Sequence, residues 1–125
     1  MLADHASSAI VAVGNLASAK SFYGGVLGLI AEKEDEQVVV YRTGPTRLVV
    51  YRSDHAGTNQ ANAVAWGVGD DLGAIVAALE NANVPFERYD FGPDARMEGP
   101  VHLIDDARLV WFRDPDGNIL HINNF

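Results

Sequence analysis

The feature that most constrains the fold of this chain is an internal repeat. The segment VVYRTGPTRLVVYRS (39–53) aligns without a gap with VWFRDPDGNILHINN (110–124), at an offset of 71 residues. In both segments a β-rich run leads through an arginine and a turn into a second β-rich run. A second pair, IVAVGNL (10–16) and AWGVGDD (65–71), aligns at an offset of 55. The sequence therefore predicts two copies of one supersecondary unit.

A helix is predicted after the first strand of each copy. Apolar residues recur at helical spacing from Leu16 to Leu27, with Asn15 as a good N-cap and Gly28 as a good C-terminal stop. The second helix is predicted over 72–82, where the same spacing recurs. Each copy thus reads as one strand, one helix and three strands.

These patterns predict an α+β fold made of two βαβββ modules. A single domain over 1–125 is expected, with repeats at about 6–53 and 62–125 and a polar linker at 54–61. Residues 91–106, with two prolines and two glycines, are predicted to form an ordered loop or lid. The predicted strands are 8–13, 29–35, 37–43, 46–53, 62–68, 85–90, 107–113 and 118–124.

Composition narrows the classes of protein to which the chain can belong. It has 125 residues, of which 48% are hydrophobic and 21% charged, as in a globular domain. It has no cysteine, so disulfides and thiolate metal sites are excluded. Nine Lys and Arg residues scattered through a chain of net charge −8 argue against a nucleic-acid partner. No apolar run spans a membrane and no signal peptide precedes the first strand, so a cytoplasmic protein is expected.

Two motifs carry a resemblance to a known superfamily. AKSFYGGVLGL in the first copy and FRDPDGNIL in the second resemble the vicinal oxygen chelate superfamily, which includes glyoxalase I, extradiol dioxygenases, fosfomycin-resistance enzymes and bleomycin-resistance proteins. The segments AGTNQ (56–60) and FERYD (86–90) resemble a small-protein branch known only as glyoxalase/bleomycin resistance. The resemblance implies two half-barrels that form a cup, and a homodimer. It guides function weakly, because one fold hosts many chemistries.

The resemblance also implies four positions for the ligands of a divalent metal. They lie at the start of each module's first strand and in the middle of its last strand, and here they are Ser8, Val50, Ala63 and His121. Only the imidazole is a good ligand, whereas a catalytic metal normally takes three protein ligands. We therefore predict that no metal or other cofactor binds, and that these four positions line a site for an organic ligand.

His121 is the candidate catalytic residue. An imidazole titrates near neutral pH, so it could act as a general base, or it could be a histidine satisfied by a backbone group or water. His102 either closes over the cup from the 91–106 loop or lies at the surface. Tyr51 and Trp111 could line a pocket for a flat ligand, although core packing explains Trp111 as well.

Two main functions follow from these observations. The first is metal-independent binding of a small organic molecule, in the cup or at a dimer interface, as in proteins of the bleomycin-resistance type. The second is a metal-dependent lyase, isomerase or dioxygenase of the glyoxalase type. A small accessory domain with a filled cup is a third possibility. Whether the chain is an enzyme stays open at this stage, with binding favoured.

Overall fold

The computed structural model describes all 125 residues, 1–125. The chain divides into two compact units, which are described separately. Unit 1 contains Met1–Ala63 and Pro115–Asn118, and unit 2 contains Val64–Asp114 and Ile119–Phe125. The prediction of one domain built of two repeats stays a prediction. No helix in the chain has both the length and the apolar character that a membrane span requires.

Unit 1 is a four-stranded sheet with one helical segment. The strand order is β1-β4-β3-β2, with β1 parallel to β4 and the other pairs antiparallel. Its elements are β1 (Ala9–Val13), α1 (Leu16–Lys20, continued by π-helical turns over Ser21–Val26), β2 (Ile30–Glu34), β3 (Val38–Thr43) and β4 (Thr46–Arg52).

The first helix begins and ends where the sequence indicates. The Asn15 side chain accepts a hydrogen bond from the Ser18 N–H at 2.9 Å, so it caps the first turn. Gly28 follows the helical segment with φ of +70°, a conformation that glycine adopts without strain. Tyr23 is fully buried and its ring lies 6.2 Å from that of Tyr41 on β3. The helix therefore packs on the sheet face that carries Tyr41.

Unit 2 is a six-stranded sheet with one α-helix. The main path of the sheet is β5-β10-β9-β8-β7, and β6 pairs with β9. Its elements are β5 (Asn62–Gly67, whose first two residues belong to unit 1), α2 (Leu72–Asn81, after a 3₁₀ turn over Gly69–Asp71), β6 (Phe86–Glu87), β7 (Arg96–Glu98), β8 (Val101–Ile104), β9 (Ala107–Arg113) and β10 (Ile119–Asn123). The fold class is α+β, as predicted, with two sheets and two helices.

The largest departure from prediction is in residues 91–106. A loop or lid is predicted there, but seven of these residues form β7 and β8, which pair as an antiparallel hairpin. Strands of three and four residues are too short to show an alternating pattern in the sequence. The strand predicted over 85–90 is correspondingly short and covers only Phe86–Glu87.

The turn Pro115–Asn118, between β9 and β10, belongs to unit 1 and is held there by hydrogen bonds and close packing. The Asp116 Oδ1 accepts a hydrogen bond from the Gly14 N–H at 2.8 Å, and the Asn118 amide donates to the Ala12 carbonyl at 2.8 Å. Gly57, at φ of +73°, lies so close that a methyl group there would collide with the Asp116 carbonyl. The D-P-D-G-N motif is therefore a structural clasp on β1 and on the linker.

Candidate functional site

The sheet of unit 2 brings together three of the predicted site residues, His102, Trp111 and His121. Trp111 on β9 is the cross-strand partner of His121 on β10, and their rings stack with centroids 4.6 Å apart at 24°. The His102 ring on β8 meets Trp111 edge-on, at 5.0 Å and 88°. All three are buried, with exposed fractions of 7% for Trp111, 1% for His102 and 8% for His121.

Two aromatic residues that the sequence did not single out complete this site. Phe91 stacks on Trp111 with centroids 5.5 Å apart, and Tyr89 meets Trp111 edge-on at 5.2 Å. Unlike Trp111, they keep 45% and 37% of their surface exposed. We name the set Tyr89, Phe91, His102, Trp111 and His121 the aromatic cluster. Its exposed members come from an irregular segment, where no periodicity indicates which way a ring points.

The hydrogen bonds of His121 fix its tautomer. Its Nδ1 lies 3.0 Å from the Val110 carbonyl, which can only accept, so Nδ1 carries the hydrogen. Its Nε2 then accepts from the Asn123 amide at 3.2 Å. Burial lowers the pKa of His121; the bond to Val110 opposes this shift, while the nearby His102 adds to it. His121 is therefore a neutral imidazole at pH 7, with both nitrogens engaged.

His102 has the same arrangement and orders the outer part of the cluster. Its Nδ1 donates to the Leu109 carbonyl at 3.2 Å, and its Nε2 accepts the Tyr89 N–H at 2.9 Å. The second bond ties the backbone of the exposed segment to the buried sheet. The interpretation of His102 as a surface loop residue is thus wrong, because it belongs to a strand that the sequence pattern did not reveal.

The arrangement limits what His121 can do chemically. A general base needs a free lone pair on a ring nitrogen, and the Asn123 amide occupies the only one that this tautomer has. The contacts are those of a satisfied histidine in an aromatic wall. A catalytic role for His121 stays a prediction, and it requires Asn123 to turn away.

An ion pair lies on the strands that carry the cluster. The Arg113 guanidinium donates to the Glu87 carboxylate. Glu87 lies on β6, where it is the cross-strand partner of Trp111. The hydrogen bond to Glu87 raises the pKa of Arg113. Arg42, the partner of Arg113 in the repeat, instead lies opposite Arg47 in unit 1, where Arg47 pairs with Glu32 at 2.5 Å.

The strand registers correct the repeat alignment by one residue. The buried pair Tyr41 and Leu48 in unit 1 corresponds to the buried pair Phe112 and Leu120 in unit 2. These pairs are separated by seven and eight positions along the chain, so the second turn is one residue longer. The structural counterpart of His121 is therefore Val49.

The assignment of Val50 to a ligand-binding position is thus wrong. Val50 is fully buried and pairs with Val39, on the face that packs against α1. Its neighbour Val49 is half-buried and lies on the opposite face, because side chains alternate along a strand. The gapless alignment hid this shift, since the extra residue lies inside the turn.

The residues present do not fit a divalent metal. Nowhere in the chain do three or more His, Cys, Asp or Glu side chains group so that they could hold a metal ion. The positions that the superfamily uses carry a hydroxyl, aliphatic groups and an imidazole whose nitrogens are both engaged. Three nitrogen or oxygen donors, the usual minimum for a catalytic ion, are not supplied.

The remaining predicted residues lie in unit 1. Tyr51 and Ala63 line a pocket of about 270 Å³. Ser8 is exposed just before β1, and the carbonyl of its neighbour Ser7 accepts a hydrogen bond from the Thr46 hydroxyl at 2.7 Å. Within unit 1, therefore, Tyr51 and Ala63 share a pocket that Ser8 and Val50 do not line.

Comparisons with known proteins agree with this architecture. The family model described as Glyoxalase/Bleomycin resistance protein/Dioxygenase superfamily matches residues 3–122. The chain matches none of the curated proteins with which it was compared.

Among solved structures, the chain is similar to a lactoylglutathione lyase from Agrobacterium tumefaciens, with 19% identity and a TM-score of 0.71, over 96% of this chain and 92% of that one. It is similar to an integron cassette protein from the mobile metagenome of the Halifax Harbour sewage outfall, with 19% identity and a TM-score of 0.71, over 98% and 99% of the two chains. It also resembles the fosfomycin resistance protein FosX from Mesorhizobium loti, with 11% identity and a TM-score of 0.71, over 100% and 94%. At these identities the likeness concerns the fold alone.

Proposed function

From the premise that this chain belongs to the glyoxalase/bleomycin resistance protein/dioxygenase superfamily, we propose that it binds a small organic molecule without a metal. The site of binding is the aromatic cluster of unit 2, and the ligand is a compound with a flat aromatic ring. The single observation that carries this proposal is the continuous stack of His121, Trp111 and Phe91, which ends in an exposed ring.

The geometry favours recognition by stacking. Phe91 and Tyr89 together keep large parts of their rings open to solvent, at 45% and 37%. The ring nitrogens of the buried His102 and His121 are hydrogen-bonded within the chain. The two histidines therefore hold the aromatic cluster in place rather than bind a polar ligand. A flat ring can extend the stack on the exposed face of Phe91.

The net charge of −8 adds a preference among flat compounds. The field of an acidic protein attracts cations and repels anions at low ionic strength. We therefore expect a cationic aromatic compound to bind more tightly than a neutral or anionic one of the same shape.

Tryptophan fluorescence provides a direct test. The Trp66→Phe variant leaves Trp111 as the only tryptophan. It is titrated with 2-naphthylmethylammonium as the cation, 2-naphthol as the neutral compound and 2-naphthalenesulfonate as the anion. Saturable quenching is expected, with the cation binding most tightly. Absence of quenching by all three compounds would contradict the proposal.

Substitutions then locate the site. Phe91→Ser removes one stacked ring and is expected to weaken binding by about two- to tenfold, since an aromatic pair contributes ~0.5–1.5 kcal/mol. Phe125→Ser is the matched control, because Phe125 is exposed and lies outside the cluster. Equal affinities in the two variants would place the ligand elsewhere.

Elemental analysis distinguishes this proposal from a metal-dependent lyase, isomerase or dioxygenase. Protein purified without chelators is expected to hold no stoichiometric Zn, Ni, Fe, Mn or Co. A metal at one equivalent per chain would favour the enzyme and would end the metal-free proposal.

We also propose that the protein is a homodimer, because both sheets end in strands with an unpaired edge. Sedimentation equilibrium is expected to give twice the mass of the 13.5 kDa chain. A single species at the monomer mass across the micromolar range would refute this.

A further inference from the structure

We propose that the pocket of unit 1 is a second binding site, which takes a small neutral compound with a single hydroxylated ring. This site shares no residue with the aromatic cluster, so it goes beyond the function proposed above. The pocket holds about 270 Å³. It is lined by Ile10, Val11, Ala12, Tyr51, His55, Gly57, Asn59, Asn62, Ala63 and Asn118.

The absence of formal charge in the lining indicates a neutral ligand. In a chain with 26 Asp, Glu, Lys and Arg residues, no member of these four types lines the pocket. A charged ligand would find no side chain in this lining with which to form an ion pair. The lining instead includes the Asn62 amide, which makes no hydrogen bond within the chain and can both donate to and accept from a neutral ligand.

Three polar side chains of the lining are available for a ligand. The side chains of Tyr51, His55 and Asn62 make no hydrogen bond to another residue of the chain. They therefore present a hydroxyl, an imidazole and an amide to the pocket. Ile10 and Ala12, on one face of β1, supply an apolar strip, which suits a ring with one face of C–H groups.

The walls of the pocket are held in place by tertiary contacts. The Asn118 amide bonds the Ala12 carbonyl at 2.8 Å, and Gly57 packs on the turn that contains Asn118. Within the linker, the Thr58 hydroxyl donates to the His55 carbonyl at 2.8 Å, and the Asn59 side chain accepts the Ala61 N–H at 3.1 Å. A pocket built in advance binds its ligand with a smaller loss of conformational entropy.

The size of the pocket limits the ligand to one ring. Pockets for drug-sized molecules typically hold about 300–1,000 Å³, so this pocket lies just below that range. A pyranose or cyclitol ring with hydroxyl or amide substituents combines the required size, neutral charge and mixed polarity.

The proposal is tested by comparing the affinities of three pyranoses that have the same ring size but different net charges. N-acetyl-D-glucosamine is neutral, D-glucosamine is cationic and D-glucuronate is anionic at pH 7. Saturation-transfer NMR with the full chain is expected to show saturable binding of N-acetyl-D-glucosamine, at least about fivefold tighter than of either charged sugar.

Two variants assign the binding to this pocket. Asn62→Ala and Tyr51→Phe each remove one hydrogen-bonding group and are expected to weaken binding by about three- to tenfold. Asn81→Ala is the matched control, because Asn81 is an exposed asparagine at the end of α2. Circular dichroism of each variant confirms that it is folded.

Three results would overturn the proposal. They are no binding of the neutral sugar at tens of millimolar, equal binding of the three sugars, and equal affinity in Asn62→Ala and Asn81→Ala. None of them bears on the quenching of Trp111 by flat compounds, so the two proposals fail independently.

Discussion

Units 1 and 2 follow the same strand plan but carry different side chains at equivalent positions. In β3 and β4 of unit 1 the cross-strand pair Val40 and Val49 is half-buried. The equivalent pair in β9 and β10 of unit 2, Trp111 and His121, is buried. The buried pairs on either side are apolar in both units. The two copies therefore keep one core pattern and differ on the opposite face of the sheet.

This difference shows where the chemistry of a repeated fold resides. The buried pairs determine the packing, and any large change there leaves a cavity or a clash. The opposite face tolerates aliphatic groups in one copy and a stack of five rings in the other. A site can therefore be built in one copy without changing the fold of either.

The largest expected effect is the loss of the central ring of the cluster. Trp111→Ala removes a ring that contacts four others and should reduce the free energy of unfolding by about 3–5 kcal/mol. The equivalent substitution in unit 1, Val40→Ala, should cost only about 1 kcal/mol, because Val40 is small and half-buried. Urea unfolding measures both.

Comparable losses in these two variants would break the comparison. They would mean that the Trp111 side chain contributes no more to the free energy of unfolding than the aliphatic Val40 does in unit 1. The cluster would then be a loose surface feature rather than a packed wall.

The next effect concerns the turns of the two hairpins. Gly57→Ala places a methyl group against the Asp116 carbonyl of the second turn and keeps a positive φ, so a loss of about 2–3 kcal/mol is expected. Gly44→Ala, in the first turn, also has a positive φ but no atom within 4 Å, and should cost about 1 kcal/mol. Thermal unfolding of the two variants separates the cost of disrupting the clasp from the cost of placing alanine at a positive φ.

If Gly44→Ala and Gly57→Ala lower the melting temperature equally, the clasp contributes nothing and only backbone conformation matters. The second turn would then be no more than a longer version of the first.

A smaller effect is the pH dependence that unit 2 gains from His121. Because burial lowers the pKa of His121 in the folded state, the unfolded chain binds more protons below about pH 6.5, the ordinary value for histidine. Stability is therefore complete above that pH and falls as the pH decreases toward the lowered pKa. In the His121→Gln variant this part of the pH dependence should disappear, as measured by urea unfolding between pH 4.5 and 8. An unchanged pH dependence in the variant would show that other groups cause it.

The sequence predicts much of the fold because its signals are local. The helical spacing after Asn15 and the turn residues between strands act within a few residues, and they place both helices and most strands. Side chains alternate along β10, so His121 and Asn123 share a face, and their side chains are hydrogen-bonded.

The site was harder to predict because it depends on pairing between distant strands. That Trp111 lies opposite His121 is a property of the register, which one additional residue in the turn shifts relative to unit 1. The burial of His102 depends on a hairpin too short to leave a periodic pattern. Tyr89 and Phe91 are positioned by the bond from the Tyr89 N–H to His102, which no local pattern reveals.

The smallest expected effect concerns the ion pairs of the two units. Glu87→Gln removes a negative charge next to Trp111 while keeping the shape of the side chain, and Glu32→Gln does the same beside Arg47 in unit 1. Both pairs are substantially exposed to solvent, so neither change should alter the melting temperature greatly. In the first variant, however, the Arg113 guanidinium is no longer neutralised by Glu87, and 2-naphthalenesulfonate should bind about two- to fivefold more tightly at low salt, with the gain lost at high salt. Glu32→Gln should leave that affinity unchanged. If both variants enhance binding equally, the effect reflects only the net charge of the protein, and the ligand need not lie beside Trp111.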